Sequence, residues 1–335
     1  MSCESRMYML KIMRGVEVEK SQPFLSLGGS GSMKSSNIGG QAVMEGVMMR
    51  NADKYAVAVR KTDGEIVVKT EEYKGIVQNK KIRSLPIIRG VFSFIDSMVL
   101  GMSTLTYSAS FFMDEEEEEK DEKKESVMMG LTIACSVVMA VAIFMILPYF
   151  LSQLFRKFTD STTLITLLEG AVRLVIFFGY ILLISRMKDI QRVFMYHGAE
   201  HKCINCIEHG MELNVENVLK SSRLHKRCGT SFLFIVMIVS IIFFLFIRIE
   251  SPIWRVVFRL LLIPVIAGVS FEFIRLAGKS ENKLVILLSK PGMMLQKLTT
   301  REPDASMAEV AIASVEAVFD WRAYLKENFG WQEKV

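Results

Sequence analysis

The chain has 335 residues, of which 51% are apolar and 23% charged, with a formal net charge of +5. Its mean hydropathy of +0.31 is high for a soluble enzyme, and the apolar residues come in long blocks, which argues against two soluble domains of this combined length. The basic residues are not interleaved with aromatics on one face, so nucleic-acid binding is not expected.

Residues 1–37, with a Gly/Ser-rich run from Ser26 to Ser36, read as a disordered N-terminus. No continuous apolar core precedes a cleavage site there, so no secretory signal is read. Residues 38–82 read as a small β-rich unit. Tyr55–Arg60 and Glu65–Lys69 alternate around Thr62-Asp63-Gly64, and Asp-Gly between alternating runs signals a hairpin. The preceding string Gly39–Arg50 has two readings. Its glycines mark a turn, or Glu45 and Arg50 meet a site and bind substrate. It lacks the Gly-Lys-Ser/Thr ending of a phosphate loop. Residues 83–113 are apolar but broken by Pro86, Arg89, Gly90 and Asp96, which predicts a helix lying on or dipping into a membrane, with a full span as the alternative. Residues 114–126 are a charge run and read as a solvated linker.

Residues 127–275 predict a four-span membrane domain, since a spanning helix needs roughly 20 apolar residues. Blocks 127–155 and 230–247 are uncharged. Block 163–185 contains Glu169 and Arg173, which are four apart and can pair on one helix. Block 253–275 contains Arg255, Arg259, Pro264 and Glu272. Glu272 could pair with Arg275 or serve as a distant acidic metal ligand. The loop 186–229 carries eight Lys/Arg, against Arg156, Lys157 and Arg248 in the two short loops. The positive-inside rule then places that loop and both termini in the cytoplasm. Residues 276–335 form a cytoplasmic tail. In it Ser306–Glu309 fits a capping box opening an amphipathic helix, expected to rest on the β unit. The fold class expected is an α-helical multi-pass membrane protein with a small cytoplasmic β-rich unit, α+β overall.

All four histidines and three of the five cysteines lie within 32 residues, from His197 to Cys228. In a reducing compartment these cysteines are not a disulfide framework. Imidazole and thiolate are the donors that zinc prefers. His197 and His201 are four apart and share a helix face, with Glu200 beside them. His-x-x-Glu-His is the inverted zinc-peptidase order, in which the glutamate polarises water. His225 and Cys228 offer two further ligands. Cys203, Cys206 and His209 are doubtful ligands, because free cysteine is commonly a small buried hydrophobe. A closed four-ligand site would be structural, and an open one catalytic.

The strings Gly39–Arg50, Tyr196–Lys202, Leu224–Phe232 and Leu298–Pro303 resemble, in order, those of the YqhQ-like family of bacterial membrane proteins. The resemblance implies a bacterial inner-membrane location and a metal site. It supports His197, Glu200, His201, His225 and Cys228, and adds Glu45, Arg50, Arg301 and Glu302 as substrate-binding or supporting residues. Cys203 stands where threonine is usual in that pattern, and Lys226 where proline is. The function expected is a metal-dependent hydrolase with a divalent metal, zinc, and Glu200 as general base. A non-catalytic membrane scaffold or regulator with structural zinc is the alternative, and a transporter the third reading. The partners implied are the lipid bilayer and a substrate or protein that the residues do not identify, and they set no oligomeric state.

Overall fold

The computed structural model describes residues 34–112, 122–247, 249, 251–279 and 282–332. Most of the N-terminal segment expected to be disordered and most of the charged linker lie outside these. Residues 34–37 run along a helix instead, with the Lys34 N–H donating to the Glu208 carbonyl (3.2 Å).

Four strands form an antiparallel meander in the order β1 (Gly39–Val43), β2 (Gly46–Asn51), β3 (Lys54–Arg60) and β4 (Ile66–Glu72). The period-two alternation sorts side chains cleanly between two faces. Val47, Met49, Ala56 and Ala58 point to one core. Val43, Met48, Tyr55, Val57 and Val59 point to a second. The β3–β4 hairpin closes through Arg60↔Ile66, and Gly64 takes the positive φ (+88°) that the turn requires.

The helices are α1 (Lys80–Ser84), α2 (Ile88–Ala109), α3 (Glu122–Val141), α4 (Leu147–Gln153), α5 (Thr162–Ile184) and α6 (Lys188–Glu208). They continue with α7 (Val215–Lys220), α8 (Gly229–Phe246), α9 (Pro252–Lys279), α10 (Lys283–Thr299), α11 (Ala305–Val318) and α12 (Trp321–Phe329). A π turn, Ala142–Ile146, joins α3 to α4. Among the described residues, five helical segments are long and apolar enough to cross a membrane: Ile88–Phe112, Val127–Lys157, Thr162–Ile184, Gly229–Phe246 and Ile253–Gly278. That corrects the expected four, because α2 meets the same length and composition despite its polar interruptions. Those interruptions are spent on packing. Asp96 accepts from the Tyr73 hydroxyl (3.1 Å) and the Ile76 N–H (2.8 Å), Leu100 joins the second sheet core, and Gly90 lies against the Gly268 backbone.

The sheet is therefore covered on both faces. α2 lies on one, and α6 with α11 on the other. α11 does rest on the sheet, where the Ser314 hydroxyl donates to the Ala56 carbonyl (3.0 Å). Its cap differs from the expected box. Asp304, two residues earlier than Ser306, accepts from the Met307 N–H (2.9 Å), while Glu309 pairs with Arg60 (2.8 Å). Asp304 wins because its carboxylate reaches the free N–H groups of the first turn.

Charges within the apolar helices also find partners. Glu169 does pair with Arg173 (2.9 Å), and Arg259 of α9 adds two bonds to the same carboxylate (2.6 and 2.9 Å). Arg173 reaches the Ser240 hydroxyl on α8 (2.9 Å). One polar knot thus ties α5, α8 and α9, which satisfies most of the donors that hydrocarbon could not.

The candidate metal centre

Helix α6 carries the site. From Gly198 to Glu208 every residue is buried, the polar ones included. A helix buried all round needs partners for its polar side chains. The segment 219–228 supplies them. Lys202 Nζ donates to the Leu219 and Ser221 carbonyls (both 2.8 Å), and Asn205 Nδ2 to those of Ser222 (2.7 Å) and Leu224 (3.0 Å). This clamp folds the loop back so that Cys228 arrives over His197 and His201.

The ligand atoms of His197, His201 and Cys228 lie within 4.8 Å of one another. Cys228 Sγ is 3.3 Å from His197 Nε2. Each imidazole is steered by a backbone carbonyl on its other nitrogen: His197 Nδ1 by Thr299 O (2.9 Å) and His201 Nδ1 by Arg223 O (2.7 Å). A carbonyl can only accept, so Nδ1 carries the proton and the Nε2 lone pair is left for an ion. This is the usual support of a metal-ligating histidine. Cys228 is also the N-cap of α8, where the positive end of the helix dipole faces its sulfur. Burial alone would raise its pKa, but His197 and His201 outweigh burial and hold the thiol well below its usual value. Burial likewise opposes charge on His197, and the neighbouring thiolate overrides it, lifting that pKa to about 9. Thiolate and imidazole are thus poised to exchange protons for an ion.

Glu200 lines the same cavity as the three candidate ligands and is buried. Burial pushes its carboxyl pKa up, against the pull of His201 and His197 and of the Gly40 N–H that donates to it. Gly40 has to be glycine. A Cβ there would stand 2.6 Å from Met48 O and 2.9 Å from Glu200 Cγ. The paired glycines of the Gly39–Arg50 string therefore do not mark a turn: Gly39 and Gly40 lie in β1, the turn falls at Met44–Glu45, and Gly40 lets the strand approach the carboxylate.

The other sequence-read residues lie around this centre. His225 is turned toward Glu208 (Nε2 to Oε2, 3.4 Å), and the cluster of three does not include it. Glu45 grips Arg192 and accepts from the Tyr196 hydroxyl (3.3 Å). Arg50 is bound to the Ala52 carbonyl (2.8 Å) and stacks on Tyr73. Glu272 pairs with Arg89 (Nε, 2.6 Å) and Arg275 (3.7 Å). Arg301 donates to the Ser185 carbonyl (2.9 Å), and Glu302 meets Lys202 (2.9 Å) and Arg223 (3.3 Å). Cys203 and Cys206 belong to the core beneath α6, where burial raises both thiols. His209 Nδ1 faces the Asn205 carbonyl (2.7 Å).

Residues missed in the sequence include Glu208, Gln296 and Lys202. Glu208 accepts from the Ser36 N–H (2.7 Å) and hydroxyl (2.8 Å) and from Arg227 (2.5 Å). Gln296 bridges the His225 backbone, accepting from its N–H (2.9 Å) and donating to its carbonyl (2.7 Å). Polar residues inside buried helical runs were the available signal.

The fold and site define a class: a helical protein with several span-length apolar segments and a His/His/Cys cluster buried under a small sheet. The chain belongs to the family described as protein of unknown function DUF1385, whose model matches residues 85–321. It is 36% identical over 301 residues to uncharacterized protein YqhQ of Bacillus subtilis (strain 168), covering 87% of this chain and 94% of that relative. No solved structure matches the chain.

Proposed function

We propose that this is an integral membrane protein with a metal-dependent hydrolase site at the cytoplasmic face of a bacterial inner membrane. The observation that carries the reading is the convergence of three soft ligand atoms on the floor of a cavity that Glu200 also lines. Three protein ligands facing a cavity leave a position open, which is the catalytic rather than the structural pattern. The donor set of two imidazoles and one thiolate suits zinc. His197, His201 and Cys228 would hold the ion, which supplies Lewis acidity when bound.

The chain's own residues do the rest. Glu200, whose carboxyl pKa burial raises, takes the proton of the attacking water. The water oxygen bonds to the electrophilic carbon or phosphorus, the bond to the leaving group breaks, and Glu200 hands its proton to that group. The Gly40 N–H and the cavity wall hold the carboxylate in place.

The test is metal content of full-length protein in detergent. Wild type should hold one zinc. His201→Ala should lose it, while Glu200→Gln should keep it and abolish the cellular phenotype. Equal metal loss in both variants would make Glu200 a ligand, and an intact phenotype in Glu200→Gln would overturn the hydrolase reading.

A further inference from the structure

The cavity that holds the cluster is about 710 Å³, within the roughly 300–1,000 Å³ of ligand pockets. Its titratable groups lie together on α6 and on the segment 225–228, while Gln41, Ser93, Ser97 and Thr230 line other parts of it. His197, Glu200, His201 and Cys228 form the floor, with Arg227 beside them. The other end is a slot between three span-length helices. Phe94, Met98 and Met102 of α2 line one wall; Phe232 and Leu233 of α8 and Phe271 of α9 line the other. The Phe94 and Phe232 rings meet at 5.6 Å, and the backbones of α2 and α9 close up at Gly90 and Gly268. The mouth of the slot is apolar: Met98, Met102 and Leu233 are 56%, 43% and 46% exposed. A contiguous apolar mouth is costly in water and marks a surface that meets something apolar.

We propose that the site draws its substrate from within the bilayer: a long-chain amphiphile whose hydrocarbon chain fills the α2–α8–α9 slot and whose hydrolysable polar link reaches Glu200. The proposal rests on the hydrolase reading for the chemistry and on the slot alone for the substrate class. A water-soluble substrate would leave three exposed apolar rim residues and a wall of phenylalanines without a role. The placement of the titratable groups fixes orientation, because reversing the amphiphile would put its head among Phe94, Phe232 and Phe271, away from them.

The probe is a palmitic acid carrying a mid-chain diazirine, in dioleoylphosphatidylcholine vesicles holding the full-length zinc-loaded protein. After irradiation, adducts are mapped by peptide mass spectrometry. Adducts are expected at Phe94, Phe232 and Phe271, besides those on the exposed face of α3 at Val137 and Val138. Ser93→Trp, which projects a large ring from a half-buried position into the slot, should cut the slot adducts about tenfold. Val99→Trp lies on the same helix outside the slot and should leave them unchanged. Labelling confined to α3 in the wild type, or equal loss in the two tryptophan variants, would overturn the proposal. Because the slot is separate from the ligands, the two readings fail apart. Zinc retained without slot adducts sinks the lipid substrate alone. Slot adducts in wild-type protein that binds no zinc sink the metal chemistry alone.

Discussion

At Cys228 three influences meet on one sulfur: the N-terminus of α8, His197 at 3.3 Å, and His201. Cys203 and Cys206 are as deeply buried, Cys206 donating to the Glu212 carbonyl (3.3 Å), and burial raises both thiols, which disfavours a ligating thiolate. Chemistry, not burial, therefore separates the candidate ligand from the packing residues. Cys228→Ser should weaken zinc retention against a chelator by on the order of 100-fold or more, since even supporting residues of metal sites are worth about 10–100-fold. Cys203→Ser and Cys206→Ser should keep their zinc and instead lower the melting temperature. The opposite pattern, zinc lost with Cys203 and kept with Cys228, would move the site to residues 197–209. The Glu200 carboxylate shows the same dependence on a neighbour. Its pairing with Gly40 crosses 160 positions of chain, and nothing within the local string around either residue announces it.

At the scale of elements, α6 is held by a strap, Thr299–Pro303, whose backbone approaches it at Gly198. A Cβ there would stand 2.0 Å from the Arg301 carbonyl oxygen, while Thr299 O supports His197 Nδ1. Neither group can move without the other. Gly198→Ala should therefore destabilise the protein by about 3 kcal/mol, the upper range for overpacking, and weaken zinc retention in parallel. Gly179→Ala on α5, where a Cβ meets nothing within 4 Å, should shift stability by less than about 1 kcal/mol. Equal effects in denaturant unfolding would show that the strap does not brace the site. This explains which parts were legible. The β hairpin, the apolar spans and the i, i+4 histidine pair are local patterns with their own periods. α10 was hidden, because Lys290 and Pro291 interrupt its apolar pattern and its role is set by Gln296 holding the distant His225. The clamp of α6 was hidden too, because its acceptors are backbone carbonyls, which every residue carries.

For the whole molecule the question is how many of the five apolar helices cross. The sheet packs directly on α6 and α11, so residues 38–72, 188–208 and 305–318 lie on one side of any membrane. If the apolar helices sit in a bilayer, α3–α4, α5, α8 and α9 would run alternately away from and back to that side. Tyr149 of α4 stacks with Arg255 at the start of α9, whereas Leu298 of α10 and Ile184 at the end of α5 pack against one apolar cluster. On that arrangement four crossings would return the chain to where it began, and a fifth complete crossing by α2 would separate the sheet from its own core. Instead α2 begins with Arg89 on Glu272 of α9 and ends with Ser108 accepting from the Met44 N–H (3.1 Å) at the sheet. We therefore expect α2 to re-enter the bilayer rather than cross it. Single cysteines at Ser110, Asp160 and Glu216 read this out with a membrane-impermeant maleimide in intact cells. Ser110→Cys and Glu216→Cys should be protected until the cells are permeabilised, and Asp160→Cys should label at once, as the excess of Lys/Arg in loop 186–229 requires. Labelling of Ser110→Cys together with Asp160→Cys would make α2 a fifth span and would take the wall of the proposed lipid slot with it.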